Sequence, residues 1–319
     1  MQNEKIGIIL LNMGGPSNLQ EVRPFLYNIF SDREIIRLGP PFLQKPLAWM
    51  IARKRAPKSM ATYEKIGGGS PITRITRKQA EALEKALCEH GDFTVTMAMR
   101  YWQPTSREAL QIMREKGICK IVALSLYPHY SCATSGSSFK ELKRNNNKNN
   151  CFELTEITAW PDHPGYISCL ADRIKRGVLL FAPSDAEIVY SAHNLPTSFV
   201  EEGDPYVTHL KKTIEAIEKI TAKQGRLCFQ SKSGPVDWLS PSTPEMLERI
   251  GREGKKNILM VPISFVSDHV ETLYEIKMEY RDLAAELGMR LEMTEALNCD
   301  PHFIDALKDL VLQAISVSS

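Results

Sequence analysis

The chain has 319 residues, 43% hydrophobic and 24% charged, with a formal net charge of +2. These values suit a globular protein of up to two ordinary domains and exclude a disordered or collagen-like chain. A charge so near balance points to no nucleic-acid partner, and no apolar run reaches the roughly 20 residues that span a bilayer. Seven cysteines are scattered without a C-x-x-C pair, which reads as reduced thiols in a cytoplasmic protein rather than a disulfide frame. The start, Met1-Gln2-Asn3-Glu4-Lys5, lacks the pattern of a signal peptide.

The run Ile6-Gly7-Ile8-Ile9-Leu10-Leu11 predicts a first strand within 5–13, ending in Asn12-Met13-Gly14-Gly15-Pro16. Glycines there let a ligand approach the backbone, but no G-x-G-x-x-G fingerprint is present. A helical pattern covers 18–29. The stretch 39–58 sets Phe42, Leu43, Leu47, Trp49, Met50 and Ile51 just ahead of Arg53, Lys54, Arg55 and Lys58. Two readings stand: a helix packed on the core, or an apolar lip with a basic rim. Such a lip suits a flat greasy ligand carrying carboxylates, or a peripheral membrane contact through 40–58 at the inner face of the membrane. A turn-rich loop follows at 63–72 with Gly67-Gly68-Gly69, a hinge or an anion cradle. The pattern then predicts helix 77–90, strand 93–99, helix 106–116 and strand 120–126. The hydroxyl-dense loop 127–138 opens a further helix.

The polar stretch 145–150, five asparagines and a lysine, has nothing apolar to bury and marks a loop or a domain boundary. A second alternating series follows: strands at 152–157, 187–191, 226–230, 257–265 and 290–295, with helices at 165–179, 206–222, 244–254 and 301–315. Two successive β-α-β series predict an α/β protein with two doubly wound parallel sheets flanked by helices.

Strand 187–191 runs into Ser191-Ala192-His193-Asn194-Leu195-Pro196, which places His193 at the carboxyl end of a strand, where α/β sites lie. Its imidazole can accept a proton or bind a metal near neutral pH. Strand 257–265 leads into a helical pattern with Glu271, Glu275 and Glu279 at i, i+4, i+8, hence on one face. That row is either a solvated acidic edge or a set of oxygen ligands for a hard cation. His269, placed on the same helix, points about 160° from Glu271 and reads as structural. Trp238, after a third strand end, is an aromatic wall or simply core.

Leu11 to Pro16, Tyr63 with Ile66 to Ile72, Arg100-Tyr101, Tyr127 to Ser138, Ser191 to Pro196, Gln230 to Trp238 and Ser267 to Tyr274 together resemble the ferrochelatase family over nearly the whole chain. The resemblance implies two Rossmann-like, chelatase-type domains: 1–150, rejoined by the final helix 300–319, and 151–299, which carries His193 and Glu271. It implies insertion of Fe2+ into protoporphyrin IX to form protoheme, the terminal step of heme biosynthesis, with Fe2+ as substrate and no nucleotide cofactor. His193 and Glu271 match the family's facing pair, with proton acceptance and iron ligation open between them, and Glu275 and Glu279 a path behind. Arg55, Tyr63 and Ser70 match the porphyrin lip; Met13, Arg100, Tyr101 and Trp238 match lining positions. Some relatives bind a [2Fe–2S] cluster with one cysteine at the position of Cys132 and three in a C-terminal extension. This chain stops at Ser319, so no cluster is expected. Two alternatives remain: a chelatase of the same fold acting on coproporphyrin III or another tetrapyrrole, and a porphyrin or heme carrier without turnover.

Overall fold

The computed structural model describes residues 5–147, 152–232, 234 and 236–318. By its internal contacts the chain divides into two units, one running to Ala159 and resuming at Asn298, the other Trp160–Leu297. Each is built on one four-stranded parallel sheet.

The first unit contains β1 (Lys5–Asn12), α1 (Val22–Ser31), α2 (Gln44–Lys65), α3 (Ile72–Leu87), β2 (Asp92–Met99), α4 (Ser106–Glu115), β3 (Lys120–Ser125), α5 (Ser137–Asn147) and β4 (Glu153–Ile157). Its strand order is β2-β1-β3-β4. Ile8 to Leu11 are at most 1% exposed, because a central parallel strand is covered on both faces and so reads as a continuous apolar run. Each such side chain contributes about 1.5–3 kcal/mol of burial.

The second unit contains α6 (Pro164–Leu179), β5 (Glu187–His193), α7 (Thr197–Glu201), α8 (Tyr206–Thr221), β6 (Gly225–Gln230), α9 (Thr243–Arg252), β7 (Asn257–Pro262), α10 (Arg281–Glu286) and β8 (Arg290–Met293). Its order, β6-β5-β7-β8, repeats that of the first sheet. The last helix, α11 (Pro301–Ser318), lies against α3, β3 and β4 of the first unit.

The boundary differs from the one expected near 150. Strand β4 pairs with β3 from Lys120↔Glu153 to Leu124↔Ile157, and Phe152 joins the core that β1 and β3 share with α4 and α5. The strand therefore completes the first sheet rather than opening the second. The polar stretch is also not wholly a loop. Asn145 to Asn147 finish α5, where Asn146 is buried and donates to the Phe152 carbonyl at 3.0 Å. Residues 148–150 of that stretch lie outside the described residues.

Helix α2 inverts the usual pattern. It buries a stripe of small residues, Ala48, Ala52 and Ala56, and leaves Trp49 47% and Met50 55% exposed, next to Phe42 at 76%.

Candidate active site

In a sheet ordered 2-1-3-4 the winding direction reverses between the first and third strands in sequence. The crevice outside their carboxyl ends is the ligand-binding position of open α/β sheets. In the second unit those strands are β5 and β7. Strand β5 ends on His193, and the segment after β7 brings Glu271 to it: His193 Nδ1 lies 3.0 Å from Glu271 Oε2. Two residues 78 apart in sequence thus meet at the switch point.

The surroundings fix both groups. Ser264 Oγ accepts the His193 backbone N–H at 2.9 Å, and the Tyr206 hydroxyl donates to its carbonyl at 3.0 Å. The ring stands edge-on to Phe265 and keeps 37% of its side-chain surface accessible, whereas Glu271 is buried. Gln230 Nε2 donates to the same Oε2 at 2.9 Å. Burial pushes the His193 pKa down, but the Glu271 charge, the hydrogen bond to it and the Glu275 charge outweigh that and raise it. Burial pushes the Glu271 carboxyl up; the facing His193 and its hydrogen bond, with His269 and Gln230, reverse this and hold it well below the usual range. The facing carboxylate thus makes His193 a stronger base than free imidazole.

Glu271 opens a wide π-type turn, Glu271–Tyr280, rather than a regular α-helix. Such turns are rare and concentrate at functional sites. Along it Glu271 is buried, Glu275 partly buried and Glu279 exposed, a graded row from the histidine to solvent. Burial and the Glu271 charge push Glu275 up to about 7, against a hydrogen bond from Ser231 Oγ at 2.7 Å.

His269 departs from the expectation. The segment 263–269 is not helical, because local polar groups organise it: Thr272 Oγ1 donates to Asp268 Oδ1 and accepts the His269 N–H. Helical spacing therefore does not apply to His269. Its Nε2 lies 3.9 Å from Glu271 Oε1, while Nδ1 engages the Ser267 carbonyl at 3.1 Å. Burial keeps its pKa below the ordinary value.

Trp238 is bridged to Pro196, three residues past His193, in a loop of which Ser233 and Pro235 lie outside the described residues. The other expected binding residues all lie in the first unit. Met13 is half-buried, and its carbonyl accepts the Tyr101 N–H at 3.0 Å. Arg55 is exposed, with its guanidinium over the Phe30 ring, and Tyr63 is buried. Ser70 packs on Gly15, where an added Cβ would come within 2.6 Å of the serine Cβ. Ser70 N–H also donates to the Pro16 carbonyl at 2.7 Å. Gly15 and Gly69, whose added Cβ would meet the Ser17 carbonyl oxygen at 2.4 Å, therefore serve close approach of the two loops.

Arg100 and Tyr101 converge on Asp32, which follows α1. Its Oδ2 accepts from Arg100 Nη2 at 2.8 Å, the Tyr101 hydroxyl at 2.7 Å and the Ser137 hydroxyl at 2.6 Å. Burial pushes that carboxyl up, and these donors overcome it and lower it. Asp32 had no signal in sequence beyond following a helix. Gln230, Ser231 and Ser264 also went without a role; their cue was a polar side chain at or near a strand's carboxyl end, whereas Tyr206, which opens α8, had none. Among the described residues, no three or more His, Cys, Asp and Glu side chains are grouped to hold a metal ion.

The family model for ferrochelatase matches residues 5–315. The chain belongs to the ferrochelatase family. The ferrochelatase of Desulfotalea psychrophila is 62% identical over the full length of both chains. That of Geotalea uraniireducens is 49% identical over 98% of this chain and 99% of its own. Among solved structures, the sirohydrochlorin chelatase SirB from Bacillus subtilis subspecies spizizenii, in complex with cobalt, aligns with a TM-score of 0.56. It is 12% identical, over 97% of this chain and 95% of that one. CbiX, described as the terminal enzyme of siroheme biosynthesis in denitrifying bacteria, aligns at 0.53 and 9% identity over 98% and 99%. The ferrochelatase family thus shares its fold with other chelatases, and this member is an enzyme of that family.

Proposed function

We propose that this ferrochelatase inserts Fe2+ into protoporphyrin IX with His193 as the proton acceptor and Glu271 as its partner. The reaction exchanges two pyrrole N–H protons for one Fe2+, so a base must reach the ring nitrogens. The observation that carries the reading is the 3.0 Å His193–Glu271 pair at the switch point. With Nδ1 engaged by Glu271, Nε2 is the nitrogen left to take a proton, and the carboxylate stabilises the imidazolium that forms. Imidazole and carboxylate are also acceptable Fe2+ ligands. Glu275, near 7, can both accept and release a proton, and the exposed Glu279 completes a path to solvent for protons or the incoming ion.

Met13, Arg55, Tyr63, Ser70 and Trp238 are proposed to hold the porphyrin, Arg55 through a propionate. Arg100 and Tyr101 would act there mainly by shaping the wall, since their polar ends engage Asp32. No iron–sulfur cluster is proposed. Anaerobic absorbance assays of Fe2+ insertion into protoporphyrin IX and into coproporphyrin III test the substrate; faster turnover of coproporphyrin would overturn the protoporphyrin assignment.

No helix among the described residues is long and apolar enough to cross a membrane. A peripheral contact is proposed through the lip. Phe42, Trp49 and Met50 are exposed, and Arg23 and Arg53 both stack on the Trp49 ring, at 5.3 and 5.6 Å from its centroid. An aromatic flanked by cations suits an anionic interface. Co-sedimentation with anionic but not neutral vesicles, lost in Trp49→Ala, is the expected result.

A further inference from the structure

Strand β6 ends in a corner that spans the wide turn. Consecutive side chains on an extended strand point to opposite faces, so residues 230 and 231 should diverge. They do not, because Ser231 sits at φ +68, a left-handed backbone that non-glycine residues seldom adopt. With that bend, Gln230 Nε2 reaches Glu271 Oε2 at 2.9 Å and Ser231 Oγ reaches Glu275 Oε2 at 2.7 Å. The first and fifth residues of Glu271–Tyr280 are thereby tied to two adjacent residues at the end of one strand. Gln230 is itself oriented: Ser191 Oγ donates to its Oε1 at 2.5 Å, which leaves the amide NH2 as the end facing the carboxylate.

We propose that the Gln230–Ser231 corner is a clamp that holds 271–280 as a wide turn and thereby sets the positions of the Glu271 and Glu275 carboxylates. Both are positioning residues. The effect of the clamp on turnover rests on the reading of His193 and Glu271 as the reacting pair.

Gln230→Leu and Ser231→Ala each remove one tie; Ser231→Gly removes the hydroxyl while freeing the backbone. Amide hydrogen exchange and Fe2+ insertion kinetics are read on the full chain. Exchange across 271–280 should quicken about tenfold or more in each variant, because a hydrogen bond to a charged group is lost. Strands β5 and β7 should keep their protection. The kcat should fall roughly 10–100-fold, as for partners that orient reacting groups, with porphyrin KM unchanged. Gln230 is buried and its variant can fail to fold, but Ser231 is half-exposed, so its variants decide the matter. Unchanged exchange across 271–280 in Ser231→Ala overturns the clamp. Faster exchange with wild-type turnover keeps the clamp and removes the catalytic reading of the pair instead.

Discussion

The two units share one strand order, and in each a π-type turn follows the third strand: Cys132–Gly136 after β3 and Glu271–Tyr280 after β7. What they place at the strand ends differs. The first unit closes its polar groups on one another, with Arg100, Tyr101 and Ser137 donating to Asp32, and Ser125 bonded to Ser135 at 2.8 Å. The second leaves an imidazole 37% exposed against a buried carboxylate, with a graded acidic row behind it. The same backbone plan gives a closed hydrogen-bonded cluster in one unit and an accessible histidine–carboxylate pair in the other. The difference comes from side chains at strand ends, not from topology.

The largest effect expected from this contrast is at His193. His193→Ala should cut the Fe2+ insertion rate by at least about 10²–10⁴-fold, the usual contribution of general base catalysis, with an unchanged circular dichroism spectrum. Asp32→Asn should do the opposite, costing stability of about 1–3 kcal/mol in urea unfolding while chemistry persists. The sign with pH is fixed. The folded Asp32 pKa lies below 3.8, so its contribution is complete above about pH 4 and is lost as pH falls through the folded value. The variant should therefore show a shallower acid limb.

Glu275 has the reverse sign. Its pKa rises from 4.5 to about 7 on folding, so the native state holds the extra proton between those values and stability declines as pH rises through the window. Glu275→Gln should be more stable than wild type at pH 8 by about 1–2 kcal/mol, discounted for partial exposure. Thermal unfolding at pH 5 and pH 8 checks this, since the gain should vanish at the lower pH. The smallest expected effect belongs to the lip. Arg55→Ala should raise the porphyrin KM by about tenfold or less and leave kcat nearly unchanged, because a propionate contact remote from the metal is uniform binding. An intact KM with a collapsed kcat would place Arg55 at the reacting centre.

Much of the fold was legible because its strands are apolar runs bounded by turn residues. The first central strand was read within 5–13 and is Lys5–Asn12; strand 257–265 ends at Pro262. The placement of His193 at one strand end and of Glu271 beyond another was legible for the same reason, since both follow buried apolar runs; their roles are the proposal made above. The boundary at 150 was not, because composition reports what a segment cannot bury and not which sheet edge is open; β4 was claimed by β3. His269 was misplaced because helical spacing was extended into a segment that Asp268 and Thr272 hold out of the helix. Asp32 and Ser231 depend on long-range partners and on a left-handed backbone, which single-residue types do not signal.

The central claim is that His193 and Glu271 act as one unit. A double-mutant cycle measures this directly: Fe2+ insertion by wild type, His193→Ala, Glu271→Gln and the double variant, with porphyrin binding followed in parallel by fluorescence. Residues that work together lose most of their effect with the first substitution. The double variant should be about as slow as the slower single variant, with porphyrin still bound. Losses that multiply, each substitution acting as if the other were absent, would contradict the account.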